Sequence, residues 1–233
     1  GKPVGFKLCL GSPTEFMCIC KAMLETKIYP DFITVDGAEG GTGAAPPEFS
    51  DDIGTPLYEG LAFVRYCLVG ADLKKHITLI ASGKVSGGIS MAKIIALGAD
   101  MCNAARGMLF SLGCIQSRNC NNNRCPTGIT TQDPKRTFAL NVDDKAPNVA
   151  SFHATTIRNF LDVLGAAGID KVSSMSAAHV CRRTDISNFH TYANIFPYCR
   201  VGDLLNGKAT STFNKLWADA SADRYVSAKD VIL

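Results

Sequence analysis

Four short apolar runs, each followed by a glycine-rich or polar segment, constrain the fold of this chain more than any other feature. They lie at residues 4–10, 31–36, 76–81 and 100–105. Each run is nearly continuous in apolar residues rather than alternating, a pattern that indicates parallel strands buried on both faces. Because helical spacing of apolar residues separates the runs, the first half of the chain is predicted to contain four consecutive strand–helix units.

The helices between these strands are predicted from their start and stop signals. The segment SPTE at residues 12–15 is typical of a capping box with proline at the first helical position. A threonine–proline pair opens the next helix, and a glycine follows the end of the third. The helices are expected at residues 13–26, 55–70 and 89–97.

The polar loops favour one of two parallel α/β architectures, an open doubly wound sheet and a (β/α)8 barrel of the TIM-barrel type. ASGKVSGG at residues 81–88 and NAARG at residues 103–107 follow consecutive strands. Together they resemble the paired phosphate-binding loops that follow strands seven and eight of a barrel. The chain is therefore predicted to supply strands 5–8, and four further units must come from upstream in the same polypeptide or from another chain.

Composition narrows the classes of partner and location. The formal net charge is only +3 with scattered basic residues, so no nucleic acid partner is expected. No apolar run approaches the roughly 20 residues that cross a bilayer, so no membrane association is expected. Seven of the ten cysteines lie in apolar or aromatic contexts, which predicts buried, reduced thiols and a cytoplasmic location. These seven are Cys9, Cys18, Cys20, Cys67, Cys102, Cys181 and Cys199.

Several stretches together resemble one enzyme family. They are GFKLCLGSPTEF, DFITVDGAEGGTGAAPPEFSDDIGTPL, IASGKVSGG, LGADMCNAARGMLFSLGCIQSRNCNNNRCPTGITTQDP and HVCRRTD. The chain, up to about Leu205, is similar to the FMN-binding synthase domain of glutamate synthase, and most similar to stand-alone FMN-binding proteins of that kind. The resemblance implies a flavin-dependent barrel with an iron–sulfur cluster, in which reduced FMN converts 2-iminoglutarate, formed from 2-oxoglutarate and ammonia, to glutamate.

The resemblance, together with the polar residues of the loops themselves, indicates the candidate site residues. Lys7, at the end of strand five, would stabilise negative charge on the reduced flavin, and Glu39 is an acid/base candidate, so these two are the catalytic candidates. Lys84 and Arg106 would balance the charge of the FMN phosphate. The full set of cofactor-binding candidates is Lys7, Asp36, Gly40, Gly41, Thr42, Ser82, Gly83, Lys84, Ala105, Arg106 and Gly107.

Each of these roles has a plainer structural alternative. Lys7 can be a surface lysine, Glu39 can cap the following turn, and Arg106 can pair with a carboxylate on a helix. The chain also departs from the family, because glutamate synthases carry histidine and aspartate where this sequence has Ala38 and Glu39. That difference bears on the substrate rather than on the flavin.

A cysteine trio stands apart from the other cysteines, in the polar segment CIQSRNCNNNRCPTGI. Compact cysteine spacings that end in Cys-Pro recur in iron–sulfur sites, and three thiolates suit a 3Fe-4S cluster. A zinc site is disfavoured because no histidine lies between His76 and His153, while free thiols remain an alternative. The resemblance favours the cluster, with Cys114, Cys120 and Cys125 as its metal ligands.

The chain is expected to divide into a half-barrel at residues 1–113, an iron–sulfur loop at 114–142 and a helical extension at 143–233. The extension is predicted to contain a helix at 148–164, followed by short helices and loops. Besides substrates of the 2-oxoglutarate and glutamate type, the expected partners are the missing half-barrel and an electron donor, either ferredoxin or an NAD(P)H-linked reductase. Two alternative functions are an N-methylglutamate synthase-type enzyme that uses methylamine and a non-catalytic electron-transfer or assembly module.

Overall fold

The computed structural model of the chain describes residues 1–39 and 52–226. Its first half contains a four-stranded sheet in which every neighbouring pair is parallel. The strands are β1 (Gly5–Leu8), β2 (Phe32–Asp36), β3 (Thr78–Ser82) and β4 (Met101–Asn103). Their spatial order, β1-β2-β3-β4, follows the chain. A doubly wound sheet reverses its strand order at a switch point, so the sequential order confirms the barrel-type prediction, with four of the eight units.

Among the described residues, four helices follow these strands: α1 (Pro13–Thr26), α2 (Leu57–Gly70), α3 (Gly88–Ala96) and α4 (Arg106–Ser111). The apolar faces of α1, α2 and α3 bury the central strands β2 and β3. The largest fully buried side chains come from these elements and the turn after α2, and include Phe16, Met17, Ile33, Leu61, Leu68, Leu73, Leu79 and Ile94.

Two details of the first half were predicted wrongly. The Ser12 side chain makes no capping hydrogen bond to α1, although Ser12 is the residue before the helix. Burial on both faces is also wrong for the two outer strands, since β1 is only partly buried and β4 has two exposed residues out of three. Both strands have a hydrogen-bonded neighbour on one side only among the described residues. The open edges are where a barrel would continue.

The second half begins with α5 (Pro134–Thr137) and the long helix α6 (Val142–Ala166). The predicted start of α6 at residue 148 was wrong, because Asn141 caps the helix by accepting from the backbone N–H of Asp143 at 3.0 Å. Pro147 therefore lies inside the helix, near its first turn. A two-stranded antiparallel hairpin, β5 (Cys181–Arg183) and β6 (Phe189–Thr191), follows where only short helices and loops were predicted.

The remaining helices of the second half pack against the first half. Helices α7 (Tyr192–Ile195) and α8 (Ser211–Asp219) complete the described chain. The ring of Phe213 in α8 lies 3.8 Å from the ring of Tyr66 in α2. The Lys21 ammonium of α1 donates to the backbone carbonyl of Ala220 at 2.7 Å. Two short 3-10 turns, Val172–Ser174 and Ala177–His179, lie between α6 and β5, and another, Lys74–His76, lies between α2 and β3.

Within residues 1–39 and 52–226, no helix combines the length and the apolar character that a bilayer span requires. Helix α6 is the longest, with 25 residues, and only Phe160 and Leu164 on it are buried. These two side chains belong to the main hydrophobic core, together with residues of α3. Helix α6 is thus an amphipathic outer helix, joined to the barrel units along one side.

The contact between α3 and α6 leads to a stability prediction. A Cβ atom added to Gly88 would lie 2.4 Å from the backbone nitrogen of Phe160, whereas one added to Gly87 would meet nothing within 4 Å. Gly88→Ala must therefore push the two helices apart, and it is expected to lower the free energy of unfolding by about 1–3 kcal/mol. Gly87→Ala is the matched control and should change it little. Denaturant unfolding of both variants checks this, and equal stabilities would contradict the packing.

Candidate functional site

The carboxyl ends of the parallel strands bring several of the predicted site residues together. Lys7 and Asp36 lie on neighbouring strands, and the Lys7 ammonium donates to the Asp36 carboxylate at 2.6 Å. Asp36 is in turn paired with Ser82 in the register of β2 and β3. Of the Lys7 side chain, 63% is exposed, against 28% of the Asp36 side chain. Lys7 is therefore a charged group at the open edge of β1 that is anchored from the next strand.

Glu39 has two roles at this edge, one for each carboxylate oxygen. Oε1 accepts from the backbone N–H of Leu57 at 2.7 Å, so Glu39 caps the start of α2, as its structural alternative suggested. Oε2 is buried and accepts no hydrogen bond within the described chain. The Glu39 residue also lines a cavity of about 220 Å³, together with Tyr58, Lys84 and Ser90. Buried carboxylate oxygens are seldom left unsatisfied, which keeps Glu39 a candidate for contact with a ligand.

The loop after β3 has the backbone geometry that a close approach requires. Gly83 has φ +150°, and a Cβ there would lie 3.2 Å from Glu39 Oε2. Lys84 adopts the left-handed region with φ 47°, which is uncommon for a residue with a side chain. The Ser90 hydroxyl then accepts from the backbone N–H groups of Ser86 and Gly87, at 3.2 and 3.1 Å. These contacts hold the loop in a fixed turn at the start of α3.

The loop after β4 is placed beside the β3 loop by the sheet order. Ala105 precedes α4, Arg106 is its first residue and is exposed, and Gly107 is buried. A Cβ on Gly107 would lie 3.3 Å from the Phe152 ring of α6, so the glycine permits this packing. Three further cofactor-binding candidates lie outside the described residues: Gly40, Gly41 and Thr42.

The cysteine loop is folded by unusual backbone conformations and by one asparagine. Gln116, Arg118 and Asn123 all have positive φ, between 56° and 62°. The Asn123 side chain accepts from the backbone N–H of Gln132 at 2.6 Å and from the Thr131 hydroxyl at 2.9 Å. It ties the cysteine loop to the segment that precedes α5. The amino-acid sequence carries no signal that Asn123 makes these contacts, because its partners are eight and nine residues away.

The three cysteines of this loop differ in environment. Cys114 and Cys120 are partly buried, whereas Cys125 is only 7% exposed, so this polar segment contributes one thiol to the interior. Burial raises the pKa of the Cys125 thiol, but hydrogen bonds from the Thr127 hydroxyl and from the backbone of Thr130 outweigh it and lower the pKa to about 6. The thiol lies 3.3 Å from that hydroxyl. Cys125 therefore favours the thiolate, the form that binds metals.

The fit to a metal centre is incomplete. Throughout the described ranges, which contain all three cysteines, no group of three or more His, Cys, Asp or Glu side chains is arranged to hold a metal ion. The chain thus places the three thiols on one loop without gathering them around a common point. Their role as ligands stays a prediction.

Two site residues were missed or misjudged from the sequence. Cys9 was expected to be buried but is exposed at the carboxyl edge, because β1 has no outer neighbour among the described residues. Partial burial, together with the nearby carboxylates of Asp36 and Glu39, raises the pKa of its thiol. Tyr58 is half-buried, and burial raises the pKa of its hydroxyl. In the sequence, the apolar residues around Tyr58 on its helix are typical of a core position, so they do not single it out as a site residue. Cys181, in the β5–β6 hairpin, is also exposed against expectation.

Tyr58 also borders a second, larger cavity of about 550 Å³ between α3 and α6. Lys93 of α3 and the Asn159 and Asp162 side chains of α6 line it, as does Ser90. The two cavities therefore share Tyr58 and Ser90 on their linings. The contribution of α6 depends on its docking against α3, which sequence spacing does not reveal.

Comparison with known proteins identifies the family to which this chain belongs. Residues 1–170 match a family model described as a conserved region in glutamate synthase. A glutamate synthase large subunit-like protein, YerD of Bacillus subtilis, is 40% identical over 184 residues, which are 79% of this chain and 35% of that protein. An archaeal glutamate synthase [NADPH] of Methanocaldococcus jannaschii is 35% identical over 62% of this chain and 28% of its own length.

Two further matches are more distant. The glutamate synthase [NADPH] large chain of Azospirillum brasilense is 31% identical over 63% of this chain and 10% of its own length. A solved structure of flavocytochrome b2 with pyruvate bound has 14% identity and a TM-score of 0.46, and the match covers 88% of this chain and 40% of that one. The chain spans about a third or less of the length of the glutamate synthase relatives named here. From the family-model match over residues 1–170, the chain belongs to the glutamate synthase family.

Proposed function

We propose that this chain is the carboxyl half of an FMN-binding barrel that reduces 2-iminoglutarate, formed from 2-oxoglutarate and ammonia, to glutamate. The observation that carries the proposal is the meeting of Lys7, the Lys84 loop and the Arg106 loop at one edge of a parallel sheet in a glutamate synthase family member. In parallel α/β folds, ligands bind at this edge.

The edge fits FMN in charge and in shape. Lys84 and Arg106 lie on the last two loops and supply countercharge for a phosphate. Gly83 permits close backbone approach, because its φ of +150° suits a residue without a side chain. Bound FMN would supply the hydride chemistry, while the protein supplies orientation and charge. Lys7, on the first strand of the edge, would place a positive charge beside the ring.

Glu39 is proposed to hold or move a proton at the substrate. Its Oε1 is already used to cap α2, so the carboxylate is fixed in position, and Oε2 remains for the reaction. The 220 Å³ cavity that Glu39 lines gives room for a small polar group. The candidates Gly40, Gly41 and Thr42, which lie outside the described residues, directly follow Glu39 in the chain. A fixed carboxylate with one free oxygen is the arrangement that general acid–base catalysis needs.

We also propose a 3Fe-4S cluster on Cys114, Cys120 and Cys125. The cysteine spacing supports it, together with the thiolate-favouring surroundings of Cys125. The described structure does not gather the three thiols, so no step of the reaction is assigned to the cluster. Arg118 and Arg124 lie on the same loop and would offset its negative charge.

This chain covers about a third or less of the length of its glutamate synthase relatives, so further parts and partners are proposed. The other barrel strands are proposed to pair with the open edges of β1 and β4, from the same polypeptide or from another. An electron donor, ferredoxin or an NAD(P)H-linked reductase, is proposed to reduce the flavin in the cytoplasm. The chain itself is proposed to divide near residues 113 and 142 into half-barrel, cysteine loop and extension.

The full-length protein, purified without oxygen, is expected to carry FMN and to form glutamate from 2-oxoglutarate and ammonium once a chemical reductant is supplied. Flavin absorbance, iron and sulfide analysis and product chromatography measure this. Preference for methylamine over ammonium would replace the proposal with the N-methylglutamate activity. Flavin binding without either product would indicate an electron-transfer or assembly module. A protein that neither retains nor takes up FMN would overturn the proposal.

Substitutions at Glu39 separate its two roles. Glu39→Ala removes the cap of α2 and is expected to lower the free energy of unfolding by about 0.5–2 kcal/mol. Glu39→Gln keeps an acceptor for the Leu57 N–H, so its stability should stay near that of the wild type, while glutamate formation should fall about 100-fold or more. Thermal melts and turnover measurements on the full-length protein check both. Full activity in Glu39→Gln would remove Glu39 from the chemistry.

The environment of Cys125 predicts how its reactivity depends on pH. Since its pKa is lowered to about 6, the thiolate persists down to that pH, and alkylation by iodoacetamide should be half-maximal near pH 6 in the metal-free protein. Thr127→Val removes one of the hydrogen bonds to the thiolate and should move the midpoint upward. Mass spectrometry of the alkylated peptide reports the rate. A wild-type midpoint in the ordinary cysteine range, about 8.5, would refute this reading of the loop.

A further inference from the structure

The proposed function gives Lys7 a role at the carboxyl edge, but it assigns none to the ion pair between Lys7 and Asp36. The pair joins two adjacent strands through side chains at a separation of 2.6 Å. In the register of the sheet, Lys7 lies opposite Thr34, and Asp36 lies two residues further along β2. The Lys7 side chain therefore reaches along the sheet toward the carboxyl edge to meet its partner.

Three observations bear on what this pair does. The pair is too exposed to stabilise the fold much, since exposed ion pairs contribute little. Asp36 is nonetheless better shielded than Lys7, because β2 is a central strand and β1 is an outer one. Among the described residues, it is Lys7 that donates a hydrogen bond to the Asp36 carboxylate. The carboxylate on the rigid strand thus fixes the ammonium on the open one.

We propose that Asp36 is a positioning residue, which anchors the Lys7 ammonium at the carboxyl edge rather than binding the cofactor itself. The anchor is needed because a lysine has a long, flexible side chain, and only a fixed charge can act at one place on a bound ring. This inference changes the role that was expected for Asp36 among the cofactor-binding residues. It rests on the proposed function only for its flavin readout.

The two roles for Asp36 predict opposite effects on a bound flavin. If Asp36 acted directly, removal of its negative charge would favour the reduced, more negative ring. If Asp36 acts through Lys7, its removal releases the ammonium and disfavours the reduced ring. Asp36→Ala tests the loss of the anchor, and Asp36→Asn keeps an oxygen that can still accept from Lys7, so its effect should lie between Asp36→Ala and the wild type.

The first measurement needs no cofactor. In flavin-free full-length protein, the rate of Lys7 acetylation by acetic anhydride, followed by mass spectrometry, is expected to rise about two- to fivefold in Asp36→Ala, because a lysine must leave its ion pair before it attacks the reagent. Asp72→Asn is the matched control, since it removes the carboxylate from another exposed lysine pair, with Lys75, and should leave Lys7 unchanged. An unchanged Lys7 rate in Asp36→Ala would overturn the inference.

The second measurement is a double-mutant cycle on the flavin potential. At a fixed potential, Asp36→Ala should lower the ratio of reduced to oxidised FMN about two- to fivefold, which is about 10–20 mV for a two-electron couple. In a Lys7→Met background the same substitution should cause no such fall. An increase in the ratio in Asp36→Ala, or an equal decrease in both backgrounds, would overturn the positioning role. If no variant or wild type binds FMN, the proposed function fails while the acetylation result still decides the anchor.

Discussion

The pairing of β2 with β3 is the constraint on which the rest of the site depends. These central strands bury Ile33, Val35 and Leu79 almost completely, and each such side chain contributes about 1.5–3 kcal/mol when it leaves water. Their pairing ends at Asp36 and Ser82, and the Gly37 N–H extends it by donating to the Ser82 carbonyl at 2.8 Å. Because one apolar layer fixes where both strands stop, it also fixes where the two loops that carry candidate site residues begin.

The apolar packing of β2 and β3 also determines where the polar groups at the carboxyl edge lie. The Lys7–Asp36 pair crosses from the rigid strand to the open one, and Glu39 is held between the end of β2 and the start of α2. Neither contact is strong enough to shape the fold, since an exposed ion pair contributes about 0–1 kcal/mol and a helix cap about 1 kcal/mol. The apolar interior supplies the stability, and the polar contacts use it to hold charges in place.

The local pattern of apolar residues was sufficient to predict the elements that form the buried sheet. Continuous apolar runs identified all four parallel strands, and the glycine loops indicated the edge of the sheet where the candidate site residues lie. The β5–β6 hairpin was missed because its strands have three residues each and no apolar alternation. The burial of Cys125, the tie made by Asn123 and the two-cavity position of Tyr58 all depend on how separate segments pack. Such contacts have no signature in the spacing of residues along the chain.

The C-terminal segment has a consequence for how this protein is divided. The family match ends at residue 170, yet the Leu204 N–H donates to the carbonyl of Gly70 at 3.0 Å, and Cys199 donates to the carbonyl of Tyr66 at 3.1 Å. Phe213 covers Tyr66 as well. A fragment that ends at residue 170 would expose the Tyr66 ring on the outside of α2, and exposed apolar surface favours aggregation. The region that the family model matches and the folding unit are therefore different lengths of the same chain.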